Sequence, residues 1–270
     1  MTSTYKIGFI GGGNMAEALI KGLLAGHYPA AQLMVSEPSE VRKDHLQSCF
    51  GIGVADSNPA LVEQCDIIVL AIKPQIVGEV LHEISPVWSD SKLMVSILAG
   101  VTCSTIEKKF AGQPRVVRVM PNTPALVGEG ASAICRGSHS TKDDLQVVRE
   151  LLEGVGMVQL IDERQMDAVT GLSGSGPAYI YTVIEALADG GVREGLRRDV
   201  AHALAVQTVV GAALMVRETG EHPAILRDQV CSPGGTAITG ISTLEKKGLR
   251  TTLMEAVSAS AARSRELGGN

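Results

Sequence analysis

The sequence predicts an α/β protein in which a doubly wound parallel sheet (residues 1–163) precedes an all-helical domain (residues 164–270). Three observations lead to this prediction. Short apolar runs alternate with helical stretches in the first half, a pattern typical of parallel sheets with helices on both faces. Two of these runs, 67–72 and 93–98, are continuously apolar, as expected of central strands covered on both sides. After about residue 163 long helical patterns replace the strands.

The first strand is predicted within residues 6–13, where an apolar run ends in three glycines. Residues 14–25 follow with apolar side chains at helical spacing, which predicts an amphipathic helix. The same alternation then continues along the domain. Further strands are predicted at residues 32–36, 66–72, 92–98, 116–120 and 157–161.

In the second half, Pro177 is predicted to begin a helix that runs from residue 178 to 189 and ends at Gly190-Gly191. Residues 198–219 predict a longer helix whose apolar positions are dense enough for more than one buried face. Such a helix is either internal to the core or packed against a second subunit. We favour the second subunit, because roughly a hundred mostly helical residues carry this much apolar surface.

Composition excludes several classes of function. The net charge of −5, with only one Trp, four Tyr and three Phe, argues against a nucleic-acid partner, which calls for basic patches and stacking platforms. Five scattered Cys without a C-x-x-C pair indicate a reducing compartment. With no leader pattern and no run of 18 apolar residues, we expect a cytoplasmic protein without a membrane partner. The six His are scattered, so no metal site is predicted.

Gly11-Gly12-Gly13-Asn14-Met15-Ala16 is a G-x-G-x-x-A motif directly after a predicted strand and at the start of a predicted helix. In that context the motif is typical of Rossmann-like folds, where it holds the pyrophosphate of a dinucleotide. Gly11 permits the tight turn, Gly13 lets the phosphates approach, and the helix N-terminus faces the anion. The alternative is an ordinary tight turn between a strand and a helix.

The end of the second predicted strand gives a divided signal about the nucleotide. Glu37 favours NAD and would repel a 2′-phosphate, whereas Ser36, Ser39 and the pair Arg42-Lys43 offer hydroxyls and positive charge for NADP. Arg42 and Lys43 are equally compatible with the solvated face of a surface helix. The sequence therefore predicts NADPH or NADH as cofactor without choosing between them.

Three more segments follow predicted strands, at the edge where open α/β sheets bind ligands. They are 71–74, 99–101 and 120–124; Lys73 and Asn122 could contact the nicotinamide half, or be a surface lysine and a turn residue. The predicted cofactor-binding residues are Gly11, Gly12, Gly13, Asn14, Met15, Ser36, Glu37, Asn58, Ala71, Lys73, Pro74, Ala99, Gly100 and Asn122.

Two glycine-rich segments, 173–177 (S-G-S-G-P) and 232–236 (S-P-G-G-T), interrupt otherwise helical sequence. Neither follows a strand, so a second dinucleotide site is not expected. Helix N-termini with free N–H groups and hydroxyls fit a small anion such as a carboxylate. The alternatives are simple N-caps at Ser173 or Ser175 and a helix–helix turn at Gly234-Gly235.

Together with the glycine cradle, A-I-K-P at 71–74 and M-P-N-T-P at 120–124, these segments closely resemble pyrroline-5-carboxylate reductases over essentially the whole chain. The resemblance implies NAD(P)H-dependent reduction of 1-pyrroline-5-carboxylate to L-proline, the last step of proline biosynthesis. It also implies a helical domain that forms an intertwined homodimer, often within a larger ring of dimers such as a decamer. It assigns substrate binding to Glu163, Ser232, Gly234, Gly235 and Thr236, and catalytic roles to Ser175 and Thr236.

Two positions depart from the family pattern. Ala237 stands where relatives usually carry a Thr whose hydroxyl meets the ring nitrogen, which leaves Thr236 as the nearest hydroxyl. Glu37 replaces a hydroxyl residue common at the 2′-phosphate subsite. The alternative enzyme, a β-hydroxyacid dehydrogenase-like reductase, would need a Lys on the first interdomain helix, which residues 167–170 lack. A non-catalytic, redox-sensing dinucleotide-binding dimer is the alternative outside enzymes.

Overall fold

The computed structural model describes residues 5–268. Its first half is built on one eight-stranded sheet with the strand order β3-β2-β1-β4-β5-β6-β7-β8. The strands are β1 (Ile7–Ile10), β2 (Leu33–Ser36), β3 (Gly53–Val54), β4 (Ile67–Leu70), β5 (Leu93–Ser96), β6 (Arg115–Met120), β7 (Gly130–Arg136) and β8 (Gly156–Leu160).

The sheet is parallel from β3 to β6, which confirms the predicted doubly wound α/β fold. β7 then runs antiparallel to β6, and β8 runs parallel to β7. The sequence analysis missed β7, because its segment Gly-Ala-Ser-Ala-Ile-Cys-Arg is short of the bulky apolar residues that mark a strand. β7 forms because both its neighbours pair with it along their length.

Twelve α-helices make up most of the rest of the described chain. In the first half they are α1 (Asn14–Ala25), α2 (Glu40–Phe50), α3 (Asn58–Gln64), α4 (Val77–Ile84), α5 (Cys103–Glu107), α6 (Lys142–Glu153) and α7 (Met166–Val169). In the second half they are α8 (Gly176–Arg193), α9 (Arg198–Thr219), α10 (Pro223–Val230), α11 (Thr236–Lys246) and α12 (Leu249–Leu267).

Both faces of the sheet are buried. Side chains alternate along each strand, so Phe9 and Val69 contribute to the core on one face while Ile68, Leu70 and Met94 contribute to the core on the other. Each of these side chains is at most 5% exposed. Burying one large aliphatic side chain contributes about 1.5–3 kcal/mol. The continuously apolar runs are therefore central strands, as predicted.

The chain forms two compact units. The first extends to Ser175 and includes the segment from Ser258 onward, and the second is Gly176–Val257. The predicted domain boundary between residues 163 and 164 stays a prediction. In the second unit, α9 occupies the 22 residues predicted for it and ends at Gly220, whose left-handed φ of 66° allows its N–H to reach Val216 O.

One helix end was predicted wrongly. α8 does not stop at Gly190-Gly191 but continues through both glycines to Arg193. A Cβ on Gly191 would lie 3.1 Å from the Cβ of Ala201, so this glycine permits close packing of α8 on α9. Gly191 is therefore a packing residue inside the helix rather than a stop signal.

α9 exposes much apolar surface within the single chain. Leu204 is 55% exposed and Met215 51% exposed, while Ala201 and Ala205 are its buried residues. By length and composition alone α9 would pass for a membrane span, although no uninterrupted run of 18 apolar residues was found in the sequence. A helix that packs against other helices in a soluble assembly has the same character.

Candidate active site

The cradle after β1 has the backbone geometry that its glycines predict. Gly11 has a φ of +93°, and a Cβ there would lie 2.5 Å from the carbonyl oxygen of Ala71. Its N–H donates to Ser36 O at 2.8 Å. Gly11 is therefore required both by the turn and by the close approach of the neighbouring strand ends.

Gly13 has a different role. It is the N-cap of α1 with extended backbone angles (φ −68°, ψ −178°), and no side chain caps the helix. No described atom lies within 4 Å of a Cβ placed on Gly13. The first turn of α1 is thus open, with Asn14 exposed and Met15 half-buried. An open helix N-terminus with free N–H groups suits a phosphate.

The strand order brings the predicted cofactor loops together. β1 lies between β2 and β4, and β5 follows β4, so the parallel strands end at one edge of the sheet. The cradle, Ala71–Pro74 and Ala99–Gly100 all follow these ends. The chain reverses its winding direction between β1 and β4, and ligands of open α/β sheets bind at such a switch point.

Glu37 lies directly at the cradle. Its carboxylate accepts the N–H of Gly12 at 2.7 Å and the N–H of Ser39 at 3.0 Å. The half-buried acid is thereby held in place beside the second glycine of the motif. A negative charge at this position favours a ribose hydroxyl over a 2′-phosphate.

The cations near Glu37 already have acidic partners. The Arg42 guanidinium donates to Gly12 O and to the Glu17 carboxylate, and Lys43 Nζ lies 2.8 Å from Glu40 Oε1. Burial raises the pKa of Glu17, but hydrogen bonds with His45 and Arg42 outweigh it and bring the pKa below its usual value. The positive charges of Arg42 and Lys43 are therefore largely offset by the carboxylates of Glu17 and Glu40.

Ser36 and Asn58 form a chain of hydrogen bonds rather than two free polar groups. The buried Ser36 hydroxyl donates to Asn58 Oδ1 at 2.7 Å, and Asn58 Nδ2 donates to Glu83 Oε2 at 2.7 Å. Lys73, in contrast, is exposed and precedes the 3₁₀ turn Pro74–Ile76. This exposed position is compatible with both interpretations of Lys73, a contact with the nicotinamide half and a surface lysine.

Asn122 is 7% exposed, and the protein uses both polar atoms of its amide. Its Nδ2 donates to Ser173 O at 3.0 Å, and its Oδ1 accepts the N–H of Ala131 at 2.9 Å. The amide thus ties the loop after β6 to β7 and to the segment that carries Ser175. The nicotinamide contact predicted for Asn122 stays a prediction.

The sequence predicted an interruption between helices at residues 173–177, but the structure has no loop there. The chain remains helical from α7 through a π-helical turn at Thr170–Gly174 into α8, and Ser175 N–H donates to Thr170 O at 2.8 Å. A Cβ on Gly174 would lie 2.7 Å from Met120 Cε, so close packing explains this glycine. The expected free helix N-terminus is absent at this segment, but π-turns of this kind occur frequently at functional sites.

The segment 232–236 does form the predicted turn before a helix. Gly234 has a φ of +66°, and Gly235 is the N-cap of α11 with no side-chain cap. Ser232 and Thr236 are exposed on either side. The open N-terminus of this 11-residue helix offers N–H groups and hydroxyls to an anion.

Glu163 has partners that the sequence analysis did not identify. Its Oε1 accepts the N–H of Cys103, at the start of α5, at 2.7 Å and lies 3.3 Å from Nη1 of Arg118. Arg118 is 3% exposed, on β6. The available signal was Arg118 itself, which stands between Val117 and Val119 in the predicted strand, because a buried guanidinium needs an acidic partner.

Two thiols complete this cluster. Ligand atoms of Cys103, Cys135 and Glu163 lie within 4.8 Å of one another, which the wide spacing of these residues in the sequence concealed. The hydrogen bond between the two thiols, followed by burial, raises the pKa of Cys103 well above its usual range. Such protonated, buried thiols are structural rather than reactive.

Comparison with known proteins places these features in a family. Residues 163–267 match the model described as pyrroline-5-carboxylate reductase dimerisation, and residues 6–100 match NADP oxidoreductase coenzyme F420-dependent. The pyrroline-5-carboxylate reductase of Arabidopsis thaliana is 46% identical over 265 residues, covering 98% of this chain and 96% of the relative. The chain belongs to the pyrroline-5-carboxylate reductase family.

Other pyrroline-5-carboxylate reductases support the assignment. The protein of Methanosarcina acetivorans is 47% identical over 264 residues, 97% of this chain and 98% of the relative. Among solved structures, the Plasmodium falciparum enzyme with NADP bound superposes with a TM-score of 0.90 at 36% identity, covering 98% of each chain. The Coxiella burnetii enzyme gives 0.91 at 36% identity, covering 98% of this chain and 99% of the other.

Family membership confirms the predicted enzyme class over the alternatives. The chain is an NAD(P)H-dependent oxidoreductase of the pyrroline-5-carboxylate reductase family, not a β-hydroxyacid dehydrogenase or a non-catalytic binder. The order of domains is confirmed as well, with a Rossmann-like domain followed by a helical dimerisation domain. Oligomerisation is thereby supported as one role of the helical half.

Proposed function

We propose that this chain reduces 1-pyrroline-5-carboxylate to L-proline, the last step of proline biosynthesis, using a reduced nicotinamide dinucleotide bound at the Gly11–Met15 cradle. The observation that carries the proposal is the open N-terminus of α1 beside Gly13, at the switch point of the sheet in a chain of this family. When bound, the cofactor supplies the hydride.

Each predicted cofactor loop has a part in this proposal. The N–H groups of Asn14 and Met15 bind the pyrophosphate, and the small residues Ala71 and Ala99 let the backbone lie against the nicotinamide ribose. Lys73 donates to that ribose. NADP is bound in the Plasmodium falciparum relative, which supports NADPH here. Glu37 at the Gly12 N–H weakens binding of the 2′-phosphate, so NADH is also used.

The substrate needs orientation more than acid catalysis. Its iminium carbon is already electrophilic, so holding it close to the hydride donor is the main requirement. The carboxylate binds at the N-terminus of α11, to the N–H of Gly234 and to the hydroxyls of Ser232 and Thr236, while Gly235, whose N–H donates to Ser232 O at 3.0 Å, holds the turn in shape. Ser175 lies beside the ring. Thr236 takes the hydrogen-bonding role of the hydroxyl that Ala237 lacks.

Glu163 has a more indirect part in the site. Its carboxylate links Arg118 on β6 to the first N–H of α5, directly after the nicotinamide loop 99–101. With a side-chain exposure of 29%, Glu163 keeps one edge accessible to substrate while the other is held by protein partners. The predicted substrate role and this bracing role are compatible.

The exposed apolar side chains of α9 support a homodimer, because burying them against a second copy removes them from water. We also propose, from the family resemblance, that such dimers assemble further into a decamer. Five free cysteines, three of them buried, support a reducing, cytoplasmic location. We propose no nucleic-acid or membrane partner, on the grounds of charge and composition.

The test measures oxidation of NADPH and of NADH by absorbance, with and without pyrroline-5-carboxylate, for the wild type and two variants. Thr236→Ala should lower kcat/KM by about 5- to 150-fold, the equivalent of about 1–3 kcal/mol for a lost hydrogen bond to the bound substrate, and Ser175→Ala by less. Thr243→Ala, which removes a hydroxyl on the same helix, is the control. No turnover with either nucleotide refutes the function, and equal activity of both variants refutes the two roles.

A further inference from the structure

The C-terminal part of α12 packs against the segment that carries Ser175. Ser260 Oγ lies 2.8 Å from Ser175 Oγ, across 85 positions of sequence. Both residues belong to the first compact unit, and both are half-buried. This contact joins the hydroxyl that we place beside the substrate ring to a residue with no role assigned so far.

A second contact, one helical turn further along α12, fixes the same helix. Ser264 is 2% exposed, and its hydroxyl donates to Asp167 Oδ1 at 2.6 Å. Residues 260 and 264 lie on one face of the helix, and Ala261 beside them is buried. The end of α12 therefore reaches Ser175 with little freedom to move away from it.

The same helix end also touches the nicotinamide loop. A Cβ on Gly100, whose φ is +76°, would lie 2.8 Å from Ser264 O and 2.9 Å from the nitrogen of Gly268. The close approach of α12 therefore requires a glycine at position 100. One helix end consequently contacts both the loop expected at the nicotinamide and the serine expected at the substrate.

We propose that Ser260 is a positioning residue for the reductase reaction: it hydrogen-bonds to Ser175 Oγ and so sets the direction in which the Ser175 hydroxyl points. The proposal rests on the role proposed above for Ser175. A serine hydroxyl has one proton to donate and two lone pairs to accept with. When Ser260 donates to Ser175 Oγ, the single proton of Ser175 is left for the substrate. Without Ser260, the Ser175 side chain rotates among its staggered rotamers.

The test is a double-mutant cycle on the full-length enzyme with Ser175→Ala, Ser260→Ala and the double variant, using the NAD(P)H assay. Ser260→Ala should lower kcat by about 2- to 10-fold, the size of one neutral hydrogen bond, and leave KM for the nucleotide within about twofold. Ser260→Thr keeps the hydroxyl and should restore most of kcat. In the Ser175→Ala background, adding Ser260→Ala should have little further effect, because the hydroxyl to be oriented is gone.

Ser48→Ala is the matched control, since it removes a helical serine hydroxyl whose partners are backbone carbonyls. Equal losses from Ser260→Ala in both backgrounds, or no rescue by Ser260→Thr, would mean a merely structural role and overturn the proposal. If Ser260→Ala has wild-type activity while Ser175→Ala is impaired, the proposal is overturned but the role of Ser175 stands. Wild-type activity of Ser175→Ala removes that role and the proposal together.

Discussion

Replacing Glu37 with Gln should raise the preference of the enzyme for NADPH over NADH. The carboxylate of Glu37 is fixed by the N–H groups of Gly12 and Ser39, at 2.7 and 3.0 Å. Gln keeps nearly the same shape, and its one acceptor oxygen can take the N–H of Gly12, whereas its NH2 group replaces the oxygen that accepts the exposed N–H of Ser39. The substitution therefore removes the negative charge together with one exposed hydrogen bond, and the salt dependence of the nucleotide preference isolates the electrostatic part.

The size of the effect follows from the charges. A phosphate monoester carries about −1.5 to −2 at neutral pH. Two unit charges 4 Å apart repel by about 1 kcal/mol in water and about 4 kcal/mol near a protein surface. Because solvent still reaches Glu37 and two N–H groups offset part of its charge, the unit-charge repulsion lies near the lower limit of about 1 kcal/mol, and a phosphate charge of about −1.5 to −2 raises it to about 1.5–2 kcal/mol. This corresponds to about a 10- to 30-fold change in a ratio of rate constants.

The assay is the ratio of kcat/KM for NADPH to that for NADH at saturating pyrroline-5-carboxylate. Glu37→Gln should raise this ratio about 10- to 30-fold, mainly through a lower KM for NADPH, and added salt should shrink the difference because exposed charges are screened. Glu153→Gln removes a carboxylate from α6, paired there with Arg149, and should leave the ratio unchanged. A ratio within about twofold of wild type for Glu37→Gln would refute the electrostatic reasoning.

Three further predictions concern the cradle, the thiols and pH. Gly13→Ala should lose nucleotide affinity, because its Cβ would occupy the open space where the phosphates approach, and should lose at most about 1 kcal/mol of stability because Ala is a poorer N-cap than Gly. Gly11→Ala should lose at least about 2 kcal/mol in urea unfolding, through its positive φ and the clash with a backbone oxygen, and equal stabilities of the two variants would contradict this. Burial raises the pKa of Cys65 to about 11, so a thiol reagent at neutral pH should label the exposed Cys49 and spare Cys65 until the protein unfolds. The pKa of Glu17 is lower in the folded state than its usual 4.5, so its stabilising effect is present above that value and is lost as pH falls through the folded pKa. The difference in unfolding free energy between wild type and Glu17→Gln should accordingly shrink in acid, and a growing difference would contradict this assignment.

Glycine shows how far sequence reasoning reached. At Gly11 the motif predicted the turn correctly, because a strand, a tight turn and a helix are set by neighbouring residues. At Gly174 and Gly191 the same residue type was interpreted as a break, and the chain instead stays helical. Glycine is needed at these two positions because Met120 packs against Gly174 and Ala201 against Gly191, and these neighbours come close only in the folded chain.

The sequence itself determined the family, the parallel sheet, the cradle and the 22-residue helix α9. Each of these depends on periodicity or on spacing within a short segment. The tertiary structure alone decided the antiparallel strand β7, the pairing of Glu163 with Arg118 and the contact of Ser175 with Ser260. The two side-chain contacts join residues 45 and 85 positions apart. No local pattern encodes such partners, because they are chosen by how the sheet and helices pack to bury their apolar faces.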